Sequence, residues 1–450
     1  MKKYKASKYN LSVYCDHDSF SKVIANAYSG TIMYADDELA ELLQNFNSDK
    51  FIKLWHSNRR LHKYLRENHF VVEEALNEVD RVKIQFDSVK YDHKHMHLTI
   101  VPTEACNLAC IYCYENGCKE RSMPKKVQEQ IKNFIEQQKD IIKSLAITWY
   151  GGEPLLKMDV IDELSKYFLK FTKENNIQYS ASMITNGTLL DEQTVDKLVN
   201  YKIDSIQVTL DGLEEQHNKR RFYRVGDKNS FQNILEGIKK CVGKISVGIR
   251  INVDKTNVDQ YKKLIDLLYN EKLLGSDSGN SASLGLVKAW TDKVAVSKKE
   301  MLSLDEFIHW SDNLKCYVQQ QNGENSRQVK FSPSLPCGAL CVNNFLISPN
   351  GDLKKCWIYA AGSEGIVGNL RTGLDLTKAY TTKWTAYSPC LDVKCEACKL
   401  LPICAGGCPY ENLNFPEDKA EHCSYMFKLI KNNLILSAEL KKQIGGQNEA

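Results

Sequence analysis

The sequence predicts an α/β fold with a parallel sheet that is open or curved into a partial TIM-like (β/α)6 barrel. We expect a small α+β module before the barrel and a cysteine-rich region after it. Strand-type and amphipathic helix-type segments alternate through the middle of the 450-residue chain. Nine of the 16 cysteines fall in the last 114 residues. These observations place the three regions at residues 1–90, 91–328 and 329–450.

The first region shows short strand patterns followed by helical ones. Residues 9–14 and 22–34 alternate apolar and polar side chains around a Ser-Gly turn, and 36–45 and 58–67 have helical spacing. Residues 81–91 are expected to be a connector with a short edge strand, because Val82, Ile84 and Phe86 alternate with polar residues. Together these patterns predict a small α+β module.

The middle region predicts six βα units. The expected strands are residues 98–102, 145–150, 179–184, 206–210, 245–251 and 284–288. The expected helices are residues 124–143, 158–174, 191–199, 230–241 and 258–269. Ligands of such folds bind at the carboxyl ends of the strands. The loops that follow the first four strands carry the cysteine, glycine and aspartate motifs, so we expect these motifs to converge on one face.

The sequence of the third region predicts short strands that are held together by bound metal. Residues 345–348 and 353–357 flank a Pro-Asn-Gly-Asp turn and predict a β-hairpin. The rest of the region is too irregular to hold its shape by apolar burial alone, which favours a metal-stapled module.

The bulk composition excludes several functions. A formal charge of +4 gives no general case for nucleic acid or for an anionic membrane surface, although it leaves room for a local basic face. No stretch of 18 apolar residues is present, and no apolar segment follows the basic N-terminus, so we expect neither a transmembrane helix nor a signal peptide. The predicted location is therefore cytoplasmic, where cysteines serve metal or redox chemistry more often than disulfides.

Three cysteines lie within eight residues directly after the first predicted barrel strand. Cys106, Cys110 and Cys113 have the spacing CxxxCxxC. Three thiolates in one loop can hold three irons of a [4Fe–4S] cluster and leave the fourth iron open to a ligand. A zinc site with a fourth ligand other than cysteine is the alternative on spacing alone.

The CxxxCxxC loop, with Tyr112 before its last cysteine and a Gly-Gly-Glu-Pro segment after the next strand, resembles the radical S-adenosylmethionine (SAM) superfamily over residues 97 to about 290. The resemblance implies that SAM binds the open iron and that its one-electron cleavage releases a 5′-deoxyadenosyl radical, which abstracts hydrogen. Carried over by position, it implies that the cofactor-binding residues are Tyr112, Gly151, Gly152, Glu153, Pro154, Thr185, Asn186 and Asp211.

The C-terminal cysteines resemble the SPASM domain of radical SAM enzymes over residues 333–428, which implies two auxiliary [4Fe–4S] clusters and three clusters in all. The resemblance assigns to the first auxiliary cluster Cys337, Cys341, Cys356 and Cys408. It assigns to the second Cys395, Cys398, Cys404 and Cys423. Either Cys337 or Cys341 can be the family's leading cysteine, so a first cluster with three protein ligands and an open iron is the alternative. A zinc ribbon explains only the middle four cysteines of the array.

The SPASM resemblance implies a peptide substrate and leaves the reaction open. We expect a peptide maturase that forms an intramolecular thioether from a cysteine to carbon, of the sactipeptide or ranthipeptide type. The alternatives are carbon–carbon crosslinking and formylglycine formation as in sulfatase maturases. Those maturases have an aspartate after the cysteine that here is Cys356, whereas this chain has Trp357.

The resemblance to leader-dependent maturases also implies partners. The N-terminal module is expected to be winged-helix-like and to bind the leader of a precursor peptide at a strand edge. The basic residues Lys53, Arg59, Arg60, Lys63 and Arg66 suit an acidic leader, although a solvated helix face is the favoured explanation for them. A low-potential flavodoxin or ferredoxin is the expected electron donor.

Two functions of other classes remain open on sequence alone. The cysteine arrays suit an iron–sulfur electron-transfer protein, although such a protein needs no barrel with an open cluster. A zinc-stapled interaction protein is the second. No catalytic residue is identified, and Glu115, Tyr150 and Asp211 are expected to be structural or SAM contacts.

Overall fold

The computed structural model describes residues 3–14, 22–44, 53, 55, 57–115, 120–226, 228–275, 277–290, 294–322 and 333–445. The chain divides into two compact units. The smaller unit contains residues 1–91, 324–341 and 386–450, and the larger contains residues 92–323 and 342–385. The N-terminal module and most of the cysteine-rich region thus belong to one unit. The division into three domains at 90 and 328 stays a prediction.

The N-terminal part of the smaller unit contains both strands and helices within the described residues. The strands are β1 (Tyr4–Ala6), β2 (Asn10–Tyr14), β3 (Lys22–Asn26), β4 (Ile32–Ala35) and β5 (Val71–Glu73). The helices are α1 (Asp37–Gln44), α2 (Arg59–Glu67) and α3 (Glu78–Lys90). Strands β2, β3 and β4 form an antiparallel sheet, and β1 pairs with β5.

Helix α3 corrects the expected connector at residues 81–91. The Asn77 side chain caps it by accepting hydrogen bonds from the backbone N–H groups of Val79 and Asp80. Val79, Val82 and Phe86 are buried at helical spacing, whereas Ile84 is 70% exposed. The apparent alternation of residues 82, 84 and 86 was therefore misleading, because only two of the three positions face the core.

Among the described residues of the larger unit, ten strands form one sheet. They are β6 (His95–Ile100), β7 (Ser144–Trp149), β8 (Gln178–Ile184), β9 (Ile203–Thr209), β10 (Ser246–Val253), β11 (Ser281–Leu286), β12 (Asn344–Ile347), β13 (Asp352–Lys354), β14 (Ile366–Asn369) and β15 (Gly373–Leu374). Strands β6 to β11 are parallel neighbours in chain order. The predicted (β/α)6 partial barrel is therefore confirmed.

The helices of the larger unit are α4 (Lys125–Glu136), α5 (Met158–Glu174), α6 (Glu192–Asn200), α7 (Glu214–Arg220), α8 (Ser230–Cys241), α9 (Tyr261–Asn270), α10 (Leu304–Gln321) and α11 (Ala379–Ala386). The expected helices are present as α4, α5, α6, α8 and α9, whereas α7, α10 and α11 were not predicted. The predicted hairpin is confirmed, because β12 pairs antiparallel with β13. Strand β12 also adds to the barrel sheet by pairing parallel to β6.

The cysteine-rich part of the smaller unit contains short helices and one long one. They are α12 (Val393–Ala397), α13 (Leu401–Cys404), α14 (Pro409–Asn414) and α15 (Lys419–Gly445). Tyr9 and Val82 pack in one apolar cluster with Cys395 and Leu401. The Lys90 ammonium, which is fully buried, donates a hydrogen bond of 2.7 Å to the Tyr387 carbonyl. These contacts explain why the two ends of the chain form one unit.

Within the described part of the chain, no helix is long and apolar enough to cross a bilayer.

Candidate active site

The cluster loop, residues 106–113, lies just beyond the carboxyl end of β6. A short segment after α7 braces it through backbone hydrogen bonds. The Ala109 N–H donates to the Phe222 carbonyl at 2.8 Å, and the Arg224 N–H donates to the Asn107 carbonyl at 2.9 Å. The bracing segment, residues 220–224, escaped the sequence analysis because it matches no motif. Its three arginines, Arg220, Arg221 and Arg224, are the feature of the sequence that could have identified it.

The three cysteines of the cluster loop are shielded from water. Cys110 is buried, and Cys106 and Cys113 are half-buried. Burial, with a smaller effect of Glu153, raises the pKa of the Cys106 thiol to about 12. Burial, with Glu115 next, raises the pKa of Cys113 to about 12. Metal binding therefore has to displace protons from these thiols.

The donor set of the cluster loop fits an iron–sulfur cluster. Three thiolates in one loop, each on its own iron, can hold a [4Fe–4S] cluster. The Cys106 sulfur also has hydrogen-bond donors, from the Leu108 N–H at 3.4 Å and the Asn186 amide at 3.7 Å. Such donors stabilise a cluster thiolate.

Tyr112 anchors the cluster loop to the interior of the barrel. Its hydroxyl donates to the Asp211 carboxylate at 2.5 Å and accepts from the Arg221 guanidinium at 2.8 Å. The other Asp211 oxygen accepts from the Asn252 N–H at 3.0 Å. The structure thus brings together two residues that the sequence analysis named, Tyr112 and Asp211. Arg221, which sequence reasoning missed, joins them in one hydrogen-bond network.

His217 lies beneath this network and makes the unit sensitive to acid. Its Nδ1 accepts the Asp211 N–H at 3.2 Å, and the side chain is fully buried. Burial, followed by the charges of Arg221 and Arg220, holds the pKa of His217 well below its usual 6.5. Below about pH 6.5, His217 therefore binds a proton in the unfolded chain but stays neutral in the folded chain.

We expect the midpoint of urea unfolding to fall as the pH is lowered from 7.5 to 5.5. His217 contributes a loss of stability of up to about 1.4 kcal/mol per pH unit below its unfolded pKa. Because the Asn oxygen can replace Nδ1 as acceptor and does not titrate, His217→Asn should flatten this dependence. The dependence will not vanish, since burial also lowers the pKa of His97. Equal pH dependence in both proteins would contradict the assignment.

Gly151 and Gly152 bring the loop after β7 against the backbone of the loop after β6. A Cβ on Gly152 would lie 2.3 Å from the Ala105 carbonyl oxygen. A Cβ on Gly151 would lie 2.6 Å from the Thr103 carbonyl oxygen, and Gly151 has a φ of +127°. The Gly152 N–H donates to the same Thr103 oxygen at 3.2 Å. Glycine is therefore required here by close backbone packing.

Glu153 joins two loops of the site. Its carboxylate is fully buried and accepts hydrogen bonds from the Thr185 hydroxyl at 2.7 Å, the Asn186 N–H at 2.7 Å and the Leu155 N–H at 3.0 Å. Pro154 begins a short 3₁₀ turn directly after it. Both Glu153 oxygens are thus occupied by protein donors that position Thr185 and Asn186. Its role as a SAM contact stays a prediction.

A cavity of about 390 Å³ opens beside the cluster loop. The predicted residues that line it are Cys106, Cys110, Tyr112, Cys113, Gly151, Gly152, Thr185 and Asn186. Glu153, Pro154 and Asp211 are not among its lining residues. Trp357, which the sequence analysis noted after Cys356, also lines the cavity. Further lining residues, which sequence reasoning missed, are Arg221, Arg224, Arg250, Lys288 and Trp290.

Aromatic side chains form one wall of this cavity. Tyr150 stacks on Trp357 with ring centroids 5.2 Å apart, and the Trp357 indole N–H donates to the Thr99 hydroxyl at 3.1 Å. The hydroxyls of Tyr114 and Tyr150 are hydrogen-bonded to each other. The residue after Cys356 is therefore a fixed part of the cavity wall.

The predicted auxiliary ligands lie in both units. Burial raises the pKa of the Cys404 thiol to about 11, with smaller contributions from its neighbours Cys395, Cys423 and Cys398. The four cysteines expected to hold the second auxiliary cluster are thus close together. Of the other four, Cys337, Cys341 and Cys408 belong to the smaller unit and Cys356 to the larger. The assignment of all eight stays a prediction.

The chain is similar to proteins of known family. A model of the radical SAM superfamily matches residues 100–268. The Fe-coproporphyrin III synthase of Methanosarcina barkeri is 32% identical over 178 residues, which are 38% of this chain and 40% of that protein. The sporulation killing factor maturation protein SkfB of Bacillus subtilis is 24% identical over 237 residues, which are 52% of this chain and 54% of SkfB. The chain thus spans about half of these relatives or less.

Solved structures share the fold. The structure of anSMEcpe with bound AdoMet (SAM) and the Kp18Cys peptide has a TM-score of 0.60 and 19% identity, and covers 79% of this chain and 100% of its own. Streptococcus suis SuiB bound to its precursor peptide SuiA has a TM-score of 0.51 and 18% identity, and covers 93% and 98%. The family match and the cysteine loop at the mouth of the partial barrel together identify this chain as an enzyme that carries a radical SAM domain over residues 100–268, and members of that superfamily use a [4Fe–4S] cluster and SAM.

Proposed function

We propose that this enzyme is a peptide maturase that installs an intramolecular thioether, from a cysteine to carbon, in a ribosomally synthesised precursor peptide. The observation that carries the proposal is that the chain has, besides the cluster loop, a second set of grouped cysteines around Cys404, in the unit that also contains the N-terminal module. The similarity to SkfB, SuiB and anSMEcpe supports a peptide substrate.

When bound, the cluster and SAM supply a 5′-deoxyadenosyl radical that abstracts hydrogen from the substrate. The protein holds the cluster through Cys106, Cys110 and Cys113. Tyr112 keeps the loop in place through its bonds to Asp211 and Arg221. The close approach at Gly152 and the bonds of Glu153 position the segment Thr185–Asn186 for SAM.

The auxiliary clusters would take up the electron that is released when a substrate radical closes onto sulfur. We assign Cys337, Cys341, Cys356 and Cys408 to the first and Cys395, Cys398, Cys404 and Cys423 to the second. Full cysteine ligation suits electron transfer, because no iron is then open to a substrate. A low-potential flavodoxin or ferredoxin is the proposed donor for the catalytic cluster.

The N-terminal module is the proposed site for the leader of the precursor. Strands β2 and β4 form the two edges of their three-stranded sheet within the described residues. An extended leader can add to such an edge through main-chain hydrogen bonds. The cationic side chains of α2 suit an acidic leader.

Formylglycine formation is the second candidate, supported by the structural similarity to anSMEcpe and by 31% identity over 159 residues to a serine-type anaerobic sulfatase-maturating enzyme of Bacteroides thetaiotaomicron. Trp357 weighs against it. An indole cannot accept the proton that the sulfatase maturases give to an aspartate at this position, and here it donates to Thr99.

The test is anaerobic co-expression with the short open reading frame next to the gene, followed by tandem mass spectrometry of the peptide. A thioether predicts a peptide lighter by two hydrogens whose cysteine resists alkylation and whose fragmentation is blocked between the joined residues. The same mass loss with an alkylatable cysteine would replace the thioether by a carbon–carbon bond or a desaturation. Oxidation of a cysteine or serine to an aldehyde would favour formylglycine formation.

We expect Cys395→Ala to remove one auxiliary cluster and to leave SAM cleavage intact. The iron content should fall from about twelve to about eight atoms per chain if each of three clusters carries four irons. Reductive cleavage of SAM to 5′-deoxyadenosine should persist, whereas peptide modification should be lost. Cys390→Ala is the matched control, since Cys390 is buried nearby and has no assigned ligand role. Unchanged iron content in Cys395→Ala would contradict the assignment.

A further inference from the structure

We propose that Arg250 forms a carboxylate-binding subsite in the barrel cavity and that the enzyme acts on a peptide segment whose aspartate or glutamate side chain pairs with this arginine. The peptide origin of the carboxylate rests on the proposed function. The subsite itself rests on the geometry of β10 and β11.

Strand β10 alternates between two faces. Ile249, Ile251 and Val253 are fully buried in the apolar core of the larger unit. The intervening Arg250 and Asn252 line the cavity instead. The Arg250 Nε donates to the Asn252 side-chain oxygen at 2.8 Å, which fixes the plane of the guanidinium.

Gly285 on the neighbouring strand β11 leaves room for this guanidinium. A Cβ at Gly285 would lie 2.4 Å from Nε, 2.5 Å from Nη2 and 2.6 Å from Cζ of Arg250. The guanidinium thus lies flat over Gly285, in a space that any other residue would fill. The absence of a side chain at Gly285 is therefore a second feature of the sheet, besides the bond to Asn252, that determines the position of the Arg250 guanidinium.

Both Nη groups of Arg250 remain available to a ligand. Among the described residues, Arg250 forms no ion pair, and its one hydrogen bond is the bond to Asn252. The Glu104 carboxylate, which also lines the cavity, is already paired with Arg121 through two hydrogen bonds of 2.8 Å. A planar fork with free Nη donors is the group that binds carboxylates in bidentate fashion.

SAM brings a carboxylate of its own, and a different arginine suits it better. Arg221 adjoins the cluster loop, because it donates to Tyr112 and its charge acts on Cys110. Arg250 lies on β10 and makes neither contact. Arg221 is therefore assigned to the cofactor and Arg250 to the substrate.

The experiment measures binding of N-acetylglutamate amide and of N-acetylglutamine amide to the SAM-saturated, oxidised holoenzyme by saturation-transfer NMR. The two probes differ only in the carboxylate. The variants are Arg250→Gln, which removes the charge, and Gly285→Ala, which keeps the charge but displaces the guanidinium. Arg371→Gln is the control for net charge, since Arg371 is exposed and lies outside the cavity.

We expect the glutamate probe, and not the glutamine probe, to bind the native enzyme and Arg371→Gln. Arg250→Gln and Gly285→Ala should weaken its binding about tenfold or more. Equal binding of the two probes, or unchanged glutamate binding in both cavity variants, would overturn the proposal. So would a loss of SAM affinity in Arg250→Gln with unchanged probe binding, since the guanidinium would then hold SAM. An unmodified peptide in the co-expression experiment together with selective glutamate binding would defeat the proposed function and leave the subsite intact.

Discussion

Cys110→Ala is expected to reduce the cleavage of SAM to background, because a cluster that loses one of its three cysteines cannot hold an open iron for the cofactor. Cys110 is the buried member of the triad, so no solvent-exposed group can readily take its place. The measurement is the yield of 5′-deoxyadenosine from dithionite-reduced enzyme under anaerobic conditions. Iron content should fall by about four atoms per chain, and the auxiliary cysteines should retain the remainder.

The control for this variant is Cys316→Ala. Cys316 is half-buried in α10 and lies outside both cysteine arrays, so its replacement should leave both iron content and SAM cleavage unchanged. Full SAM cleavage by Cys110→Ala would refute the assignment of the cluster loop. Background activity in both variants would show instead that the barrel tolerates no loss of a thiol.

Gly152→Ala is expected to have the second largest effect. The new Cβ would lie 2.3 Å and 2.5 Å from the carbonyl oxygens of Ala105 and Glu104, which are backbone atoms directly before the cluster loop. A flexible side chain could rotate away from such a clash. Here the clash is between backbone segments, so the loop after β7 and the loop after β6 must move apart. We therefore expect SAM affinity to fall about tenfold or more and the free energy of unfolding to fall by about 1–3 kcal/mol.

Gly248→Ala is the matched control for this change. Gly248 lies within β10, where a Cβ would meet its nearest neighbour, the Ile206 carbonyl oxygen, at an ordinary 3.8 Å. This variant should keep the SAM affinity and the melting temperature of the native enzyme. If Gly152→Ala binds SAM as well as Gly248→Ala does, close packing of the two loops is not needed for the site.

The barrel was predictable because its signals are local. Each strand and helix shows its own periodicity, and the parallel order follows once βα units alternate. The cluster loop was equally readable, since the spacing of Cys106, Cys110 and Cys113 lies within eight residues. The glycines were noticed as a motif, but the reason for them is the carbonyl oxygens of Thr103 and Ala105, which the next loop approaches.

The failures have physical reasons too. Helix α3 lies where the sequence predicts a connector, because Val82, Ile84 and Phe86 satisfy a short strand pattern, whereas the helix depends on its cap at Asn77 and on the burial of Val79. The bracing segment acts through backbone hydrogen bonds, which any sequence can make. Arg250 and Asn252 do carry a signal in the sequence, because they occupy alternate positions of a strand whose other face is formed by the apolar residues Ile249, Ile251 and Val253.

The sequence by itself determined the barrel and the superfamily of its radical SAM domain, because each depends on residues that are close along the chain; the assignment of the cluster cysteines stays a prediction from the same kind of local spacing. Only the tertiary structure decided which side chains that are distant along the chain meet. It brings Tyr112 to Asp211 and Arg221, and Glu153 to Thr185 and Asn186. It also places Arg250 over Gly285. It likewise joined residues 1–91 to residues 386–450 in one unit. Such contacts arise from how loops converge at the ends of parallel strands and how apolar faces pack, and neither leaves a fixed spacing in the sequence.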